Sequence, residues 1–310
     1  MRSKLMTAIG TTALIGLSTM FMTACNDKDS VPAASSTAPA ASSAAGQNPK
    51  SGSQATVRAV GKTGWYEGFE ITVDKATIVP SESGGGKLVV DITYKNLTTE
   101  NKTLTANNYL QFGTAADTSA GFDNPTVPGK GSATGTVTTS LKQVNDPERL
   151  LDQFTVVYGQ ASDNQTKIPV KAGAAVETVQ PKTLNITGKL VQDQTTVEIT
   201  GATLTPSYTK NERGKYELAL HVKFIGGSGI SAGGTNIFYE YFSVQTPDGQ
   251  HVVADIRGPI NELLDRNETI DNSKDFAVFL VPAPGTGQFT LTYDAKKGEG
   301  QAPTLPFTVG

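Results

Sequence analysis

The sequence predicts an all-β chain in which two β-sandwich domains follow a signal peptide and a disordered linker. Three observations support this prediction. From residue 56 onward, short stretches rich in Val, Ile, Thr, Tyr and Phe alternate with clusters of Gly, Pro, Asn and Asp. No amphipathic helical pattern of about twelve residues or more occurs in this part of the chain. The strand pattern also repeats once along the sequence.

Seven stretches alternate apolar and polar residues with the period of a half-buried strand. They are FEITVDKATIVP (69–80), KLVVDITYKN (87–96), QFTVVYG (153–159), TTVEITGATLTP (195–206), GKYELALHVKF (214–224), DFAVFLV (275–281) and GQFTLTYD (287–294). Two short helical connectors are expected, DPERLLDQ (146–153) and GPINELLDR (258–266), because each has a Pro where a first helical turn accepts one.

The internal repeat divides residues 56–310 into two units. ITVDKATIVP (71–80) aligns with VEITGATLTP (197–206), a Gly-Lys pair and a strand follow each, and Phe-Thr-x-x-Tyr occurs near the end of both units. Units of about 115 to 125 residues with seven or eight short strands fit immunoglobulin-like sandwiches. We therefore predict domain 1 at 56–170, a hinge at 171–182 and domain 2 at 183–310.

The order of these motifs resembles that of telokin-like, immunoglobulin-like domains. The order runs from a strand and Gly-Lys, through a strand ending at Lys95-Asn96 and an aromatic pair with a polar turn, to Phe-x-Leu/Val-x-Tyr. Such domains occur on secreted proteins and lipoproteins of Gram-positive bacteria, and they include a family of unknown function. The resemblance covers both repeats, and it implies a fold without implying an activity or a site.

The first 24 residues have the pattern of a bacterial secretory signal. Arg2 and Lys4 precede the uncharged stretch LMTAIGTTALIGLSTMFM (5–22), and small residues follow it. The alternative is a transmembrane helix, but eighteen residues with several Thr, Ser and Gly are at the lower limit of what a bilayer needs. We therefore predict a cleaved signal peptide.

Cys25 is the only cysteine of the 310 residues. Met22-Thr23-Ala24-Cys25 resembles the lipobox of bacterial lipoproteins, with Met22 in place of the usual leucine. The resemblance implies cleavage after Ala24 and a diacylglyceryl group on Cys25, whose thiolate is a strong nucleophile. Two acyl chains give stable membrane anchoring, so the predicted location is the outer face of the cell membrane, on the cell-wall side.

The segment after Cys25 has the composition of a tether. Ala, Ser and Pro dominate residues 31–55, so this stretch cannot bury enough apolar surface to fold, and 25–55 is predicted to be a disordered linker. An O-glycosylated stalk is the alternative. Loss of residues 1–24 removes Arg2 and Lys4 and changes the formal net charge from −3 to −5. This acidic balance argues against a nucleic-acid partner.

Catalytic and metal-binding motifs are scarce. His221 and His251 are the only histidines, neither has a second His or a Cys at metal-ligand spacing, and Gly-x-Ser-x-Gly does not occur. DNSKD (271–275) begins like a calcium loop, but Phe276 occupies the glycine position, which excludes an EF-hand and leaves a looser calcium site as the alternative. We predict no enzyme activity, no cofactor and no metal site.

An aromatic cluster, NIFYEYF (236–242), is the remaining candidate site. Strand alternation would place Tyr239 and Tyr241 on one face with Ile237. The two tyrosines then either fill a core or form a surface platform for a glycan or a protein. The lone Trp65 either caps the first sandwich or lies in an exposed loop.

Together these patterns predict a lipid-anchored surface protein that acts as a non-enzymatic binding or structural module of the bacterial envelope. The alternative is an accessory solute- or glycan-binding subunit that serves a transporter or an envelope enzyme. The expected partners are the membrane, through Cys25, and a cell-wall glycan or another envelope protein.

Overall fold

The computed structural model describes residues 54–105 and 107–310, which belong to one compact unit. The predictions for the signal peptide (1–24), Ala24, Cys25 and residues 25–53 of the linker lie outside the described residues. The described chain is an all-β sandwich fold, as predicted, with a single five-residue α-helix in this range. No helix among the described residues has the length and apolar character needed to span a membrane.

The first half of the described chain contains eleven strands and the helix. They are β1 (Thr56–Tyr66), β2 (Phe69–Pro80), β3 (Gly86–Asn96), β4 (Lys102–Thr103), β5 (Asn108–Phe112), β6 (Ala115–Asp117), β7 (Gly121–Asp123), β8 (Thr126–Val127), β9 (Ser132–Leu141), α1 (Pro147–Leu151), β10 (Phe154–Tyr158) and β11 (Thr166–Pro169). A five-stranded sheet has the order β1-β2-β3-β9-β7, and a four-stranded sheet has the order β11-β10-β5-β6. Ile71 and Val90 of the first sheet meet Leu110 and Val156 of the second in one buried cluster.

The second half of the described chain contains twelve strands and one turn of 3-10 helix. They are β12 (Lys182–Leu184), β13 (Gly188–Gln192), β14 (Thr195–Pro206), β15 (Lys215–Gly226), β16 (Thr235–Phe238), the 3-10 helix (Tyr239–Tyr241), β17 (Phe242–Gln245), β18 (His251–Val253), β19 (Asn261–Leu264), β20 (Thr269–Ile270), β21 (Phe276–Pro282), β22 (Gly287–Tyr293) and β23 (Thr304–Val309). One sheet is built on β12-β14-β15-β20, with β13 on β14 and β21 on β15, and the other has the order β18-β17-β22-β23. Ile199 and Leu220 of the first sheet pack with Phe242 and Leu291 of the second in a separate core.

The repeat extends to an irregularity in the backbone. The pairing of β2 with β3 shifts register between Val73 and Lys75, and the pairing of β14 with β15 shifts between Ile199 and Gly201. The sequence alignment places Val73 on Ile199, so both halves carry a β-bulge at the same position. Bulges are kept as designed features of a fold, which supports duplication of one ancestral unit.

Two local predictions were wrong, and one was confirmed. GPINELLDR (258–266) contains strand β19 instead of a helix, because pairing with β16 outweighs local helix preference. The expected continuous strand over 236–242 is interrupted by the 3-10 helix. The expected connector at 146–153 is α1, with Pro147 in its first turn and the Asp146 side chain accepting a hydrogen bond from the Arg149 amide.

Candidate binding cleft

The two sandwiches are joined by hydrogen bonds between a turn of the first and a loop of the second. The Asn164 side chain, between β10 and β11, donates to the carbonyls of Ser207 (2.6 Å) and Lys215 (2.9 Å) and accepts from the Gly214 amide (2.9 Å). The carboxylate of Asp163, which is 6% exposed, accepts from the Asn211 amide at 2.7 Å. Buried polar groups matched in this way fix the geometry of a contact.

Aromatic side chains close the same junction from the inside. The rings of Tyr66 and Tyr208 lie 4.4 Å apart between centroids, and the Tyr208 hydroxyl donates to the Trp65 carbonyl at 3.3 Å. Burial raises the pKa of both tyrosines, so each remains a neutral hydroxyl. Trp65 therefore lies in β1 with its backbone in the junction. The sequence alone did not decide whether this residue caps the first sandwich or lies in an exposed loop.

An ion-pair cluster holds the second-sandwich side of the junction. Arg257 donates to Glu217 at 2.7 Å and to Glu212 at 2.6 Å. These bonds raise the pKa of Arg257, and the Arg257 hydrogen bond lowers the pKa of Glu212. The charge of Glu217 is thus matched by a fixed guanidinium.

The connection between the sandwiches is itself attached to the first one. Glu177 exchanges backbone hydrogen bonds with Lys167 of β11, and the Thr178 hydroxyl accepts from the Trp65 amide at 2.9 Å. The chain enters β12 at Lys182. The connecting segment, predicted as a hinge at 171–182, is thus bonded to the first sandwich as far as Thr178. The domain boundaries at 170, 182 and 183 stay a prediction.

Beside the junction the two sandwiches border an open cleft of about 810 Å³. The first sandwich contributes turns and the start of β4, with Glu67, Gly68, Thr98, Lys102 and Lys130. The second contributes the outer face of its larger sheet and the start of β12, with Lys182, Thr203, Thr205, Tyr208, His221 and Phe276. The volume lies within the range of small-ligand sites, about 300–1,000 Å³.

Three ammonium groups line this cleft, which we call the binding cleft. Lys102 donates to the Glu67 carbonyl at 2.6 Å, and Lys130 donates to the Leu97 carbonyl at 2.5 Å. Among the described residues, neither they nor Lys182 form an ion pair with a carboxylate. Burial raises the pKa of Glu67, opposed by Lys102. The cleft is therefore basic although the whole chain is acidic.

One wall of the binding cleft carries an aromatic platform, formed by His221 and Phe276. Their ring centroids lie 3.9 Å apart on the neighbouring strands β15 and β21. Burial lowers the pKa of His221, so the imidazole is neutral at neutral pH. Gly201, which pairs with His221 across the bulge, has open space where a side chain would be. The two ring planes are tilted by 55°, so a compact aromatic pair with open space beside it faces the cleft.

The tyrosines singled out by the sequence lie elsewhere. Tyr239 and Tyr241 are half-buried on the 3-10 helix and pack against the core of the second sandwich. The Tyr241 ring lies 5.6 Å from Phe238 and 6.3 Å from Tyr293 between centroids. Neither tyrosine lines the binding cleft, and their contacts are those of core packing.

The cleft residues had little signal in the sequence. His221 was expected on a solvent-facing strand surface. Its contact with Phe276 could not be predicted, because the two residues are far apart in sequence and meet only through the pairing of β15 with β21. Lys102, Lys130 and Lys182 are isolated in sequence, in segments of turn composition. Across residues 54–105 and 107–310, no three His, Cys, Asp or Glu side chains converge as a metal site.

No protein-family model and no curated protein matches this sequence. A solved structure described as the conserved domain protein from Bacillus anthracis is 10% identical, with coverage of 82% of this chain and 90% of that chain. Its TM-score is 0.21, so this likeness carries no argument about function.

Proposed function

We propose that this chain is a lipid-anchored, non-enzymatic binding protein of the bacterial envelope, in which the two sandwiches act as one binding module. The observation that carries the proposal is the binding cleft, because its two walls belong to different sandwiches and the junction around Asn164 fixes their spacing. A preformed cleft lowers the entropic cost of binding.

The side chains in the cleft favour binding over catalysis. His221 packs on Phe276, and Glu217 is held by Arg257. General acid–base chemistry needs a titratable group within hydrogen-bond reach of its partner, with a pKa near the working pH. The cleft also holds Glu67, whose pKa burial raises, but among the described residues the Glu67 carboxylate forms no hydrogen bond to a partner of this kind. The other groups are ammonium groups, threonine hydroxyls and an aromatic platform, which are recognition groups.

The sequence supplies the proposed location. A diacylglyceryl group on Cys25 would hold the chain on the outer face of the membrane, and the linker 25–55 would separate the folded unit from it. Candidate partners are a cell-wall glycan and another envelope protein. An accessory subunit that presents a solute or a glycan to a transporter is the second candidate, and the small-ligand size of the cleft favours it.

The test fills the cleft and measures retention of envelope material. Thr203→Trp projects an indole from the sheet face into the cleft, and Thr290→Trp is the matched control on a strand of the other sheet. With the full-length chain in detergent, we expect wild type and Thr290→Trp to retain envelope fragments and Thr203→Trp to lose them. Equal retention by all three proteins would reject the cleft as the site, and substrate hydrolysis by the wild type would reject a non-enzymatic role.

A labelling experiment tests the anchor separately. We expect palmitate to label the wild type and to leave Cys25→Ala unlabelled. Label that persists on Cys25→Ala would show that the lipid is attached elsewhere.

A further inference from the structure

Building on this binding function, we propose that the ligand of the binding cleft is an acidic carbohydrate. One sugar ring would pack against the His221–Phe276 pair, and its carboxylate or phosphate group would face the ammonium groups of Lys102, Lys130 and Lys182. Three features of the cleft carry this inference: its charge, its aromatic platform of two tilted rings and its hydroxyl-bearing walls.

The charge of the cleft selects an anion. Among the described residues, the cleft has two carboxylates, and only one of them is neutralised by an ion pair. Glu217 pairs with Arg257, whereas Lys102 donates to the backbone carbonyl of Glu67 and not to its carboxylate. Three ammonium groups therefore face one partly buried carboxylate. Lys side chains bind phosphate and carboxylate groups as point charges, and a concave site concentrates their field.

The spacing of the lysines places positive charge on both walls. Lys102 and Lys130 belong to the first sandwich, and Lys182 belongs to the second. An anion held between them contacts both sandwiches. The junction that fixes the two sandwiches therefore also fixes the arrangement of the three charges.

The platform selects a ring with an apolar face. One face of a pyranose ring presents C–H bonds, and covering that face with an aromatic surface removes apolar area from water. The electron-rich faces of aromatic rings also attract the positive edges of C–H bonds. The empty space over Gly201 leaves room for the ring beside His221.

The walls offer partners for sugar hydroxyls. Thr98 lies on the first-sandwich wall, and Thr203 and Thr205 lie on the second-sandwich wall. A threonine hydroxyl both donates and accepts hydrogen bonds, although the Thr98 hydroxyl already donates to the Asn96 side chain at 2.7 Å and therefore serves a sugar as an acceptor. An acidic peptide would satisfy the lysines without using these hydroxyls or the platform, so the observations favour the carbohydrate.

Calorimetric titration of the full-length chain in detergent tests this ligand class. The probes are a galacturonate oligosaccharide, a phosphate-substituted oligosaccharide, a neutral galactose oligosaccharide and polyglutamate. We expect at least one acidic sugar to bind about tenfold or more tighter than the neutral one, and to weaken as salt rises, because salt screens charges at the surface. The two acidic probes separate a carboxylate ligand from a phosphate ligand.

Variants connect that binding to the residues named. The double variant Lys130→Gln with Lys182→Gln should lower the affinity for the acidic sugar about tenfold. Phe276→Leu should also lower the affinity, with the salt dependence retained. The control, Lys87→Gln, lies at the start of β3, about 30 Å by the strand rise from the end that adjoins the cleft, and should bind like the wild type.

Four outcomes would overturn the ligand class. They are no binding of either acidic sugar, equal binding of acidic and neutral sugars, tighter binding of polyglutamate, and unchanged affinity in the double lysine variant. If any of these occurs while Thr203→Trp still abolishes retention of envelope material, the binding function stands and the carbohydrate inference fails. If the retention test also fails, both proposals fall.

Discussion

The two sandwiches share a bulged hairpin, but they place different side chains next to the bulge. In the first sandwich, Lys75 pairs with Asp91 in β3, and Asp91 pairs with Thr136 in β9. The Lys75 ammonium lies 3.3 Å from the Asp91 carboxylate. The bulge residue Asp74 accepts from the Thr93 hydroxyl at 2.8 Å. The polar groups of this surface therefore bond to one another.

In the second sandwich, the same register positions hold Gly201, His221 and Phe276. Gly201 leaves open space where the first sandwich has a lysine, and the rings of His221 and Phe276 pack against each other at a tilt of 55°. The comparison shows how a duplicated frame can diverge: the backbone irregularity is retained, and three substituted positions replace an ion pair with open space beside two aromatic rings.

The largest expected effect compares the two cores at equivalent positions. Phe154 and Phe289 occupy corresponding places in β10 and β22 and are 2% and 1% exposed. Truncation of either to alanine should reduce the free energy of unfolding by about 3–5 kcal/mol. Chemical denaturation of each variant gives this value.

The cost should be larger for Phe289→Ala than for Phe154→Ala. Each phenylalanine packs on another ring and borders an opening, but the groove beside Phe154 is about 720 Å³, whereas the one beside Phe289 is about 200 Å³, so water and neighbouring side chains fill the space left by Phe154 more readily. A cavity that cannot collapse is the more costly one. A larger loss in Phe154→Ala would contradict this difference between the sandwiches.

The second expected effect tests whether the sandwiches act as one body. Asn164→Ala removes an amide that bonds the carbonyls of Ser207 and Lys215 and the Gly214 amide. We expect a loss of about 2 kcal/mol in stability, since unsatisfied buried groups cost about 1–3 kcal/mol each and water will reach some of these. Small-angle scattering should show a broader range of arrangements.

Asn185→Ala, at an exposed position between β12 and β13, is the control for this change. It should leave both stability and scattering unchanged. A scattering profile of Asn164→Ala identical to that of the wild type would show that the remaining contacts, among them the Tyr66–Tyr208 pair and the hydrogen bond from the Asn211 amide to Asp163, are enough to hold the junction.

The third expected effect concerns a carboxyl group of the second sandwich alone. Asp275 is 1% exposed, and its Oδ2 atom has no hydrogen-bond partner among the described residues. Burial, with a contribution from nearby Glu262, raises the pKa of Asp275 from 3.8 to about 6. Between these values the folded state binds more protons than the unfolded state, so this group makes stability fall as the pH rises from about 4 to 6.

Asp275→Asn should remove that loss. We expect the variant to be more stable than the wild type by up to about 3 kcal/mol at pH 7.5, since the pKa rises from 3.8 to about 6 and each pKa unit corresponds to about 1.4 kcal/mol, and to lose the advantage near pH 4. Thermal unfolding across this pH range measures the difference. Asp271→Asn, at an exposed site, should follow the wild type, and a wild type that gains stability between pH 4 and 6 relative to Asp275→Asn would refute the assignment.

The sequence predicted the frame better than the cleft. The expected strands at 69–80 and 195–206 have the observed bounds of β2 and β14, because both alternate apolar and polar residues. The strands β1 and β9 were missed, since Gly, Ser and Thr dilute their apolar pattern. Such strands form because neighbours pair with them, and alternation records burial rather than pairing.

The binding cleft was beyond sequence patterns for a different reason. Phe276 meets His221 only through the register of β15 and β21, and Lys130 and Lys182 approach the same cleft only because the sandwiches dock. The aromatic cluster that did stand out, with Tyr239 and Tyr241, stood out because cores need aromatic side chains. The aromatic cluster that is visible in the sequence therefore packs against the core, whereas the cleft is formed by residues that are far apart in the sequence.

The smallest expected effect on stability, and the sharpest test of the comparison, gives the second sandwich the residues of the first. Gly201→Lys with His221→Asp would restore the ion pair at the bulge without changing the net charge of the cleft. Surface pairs of this kind contribute about 0–1 kcal/mol, so the free energy of unfolding should hardly change. Affinity for the acidic sugar should nevertheless fall about tenfold, because the new lysine fills the space over position 201 and the platform loses a ring.

The reverse exchange supplies the control. Lys75→Gly with Asp91→His opens the corresponding position of the first sandwich. These two residues do not line the binding cleft, so its three lysines do not face them. It should neither create a second binding site nor alter the first. If the second-sandwich exchange left the affinity intact, the lysines alone would account for binding and the platform would have no part in it. If the second-sandwich exchange abolished binding and left the free energy of unfolding unchanged, the residues at positions 201 and 221 would account for the difference between a sandwich that binds the ligand and one that does not.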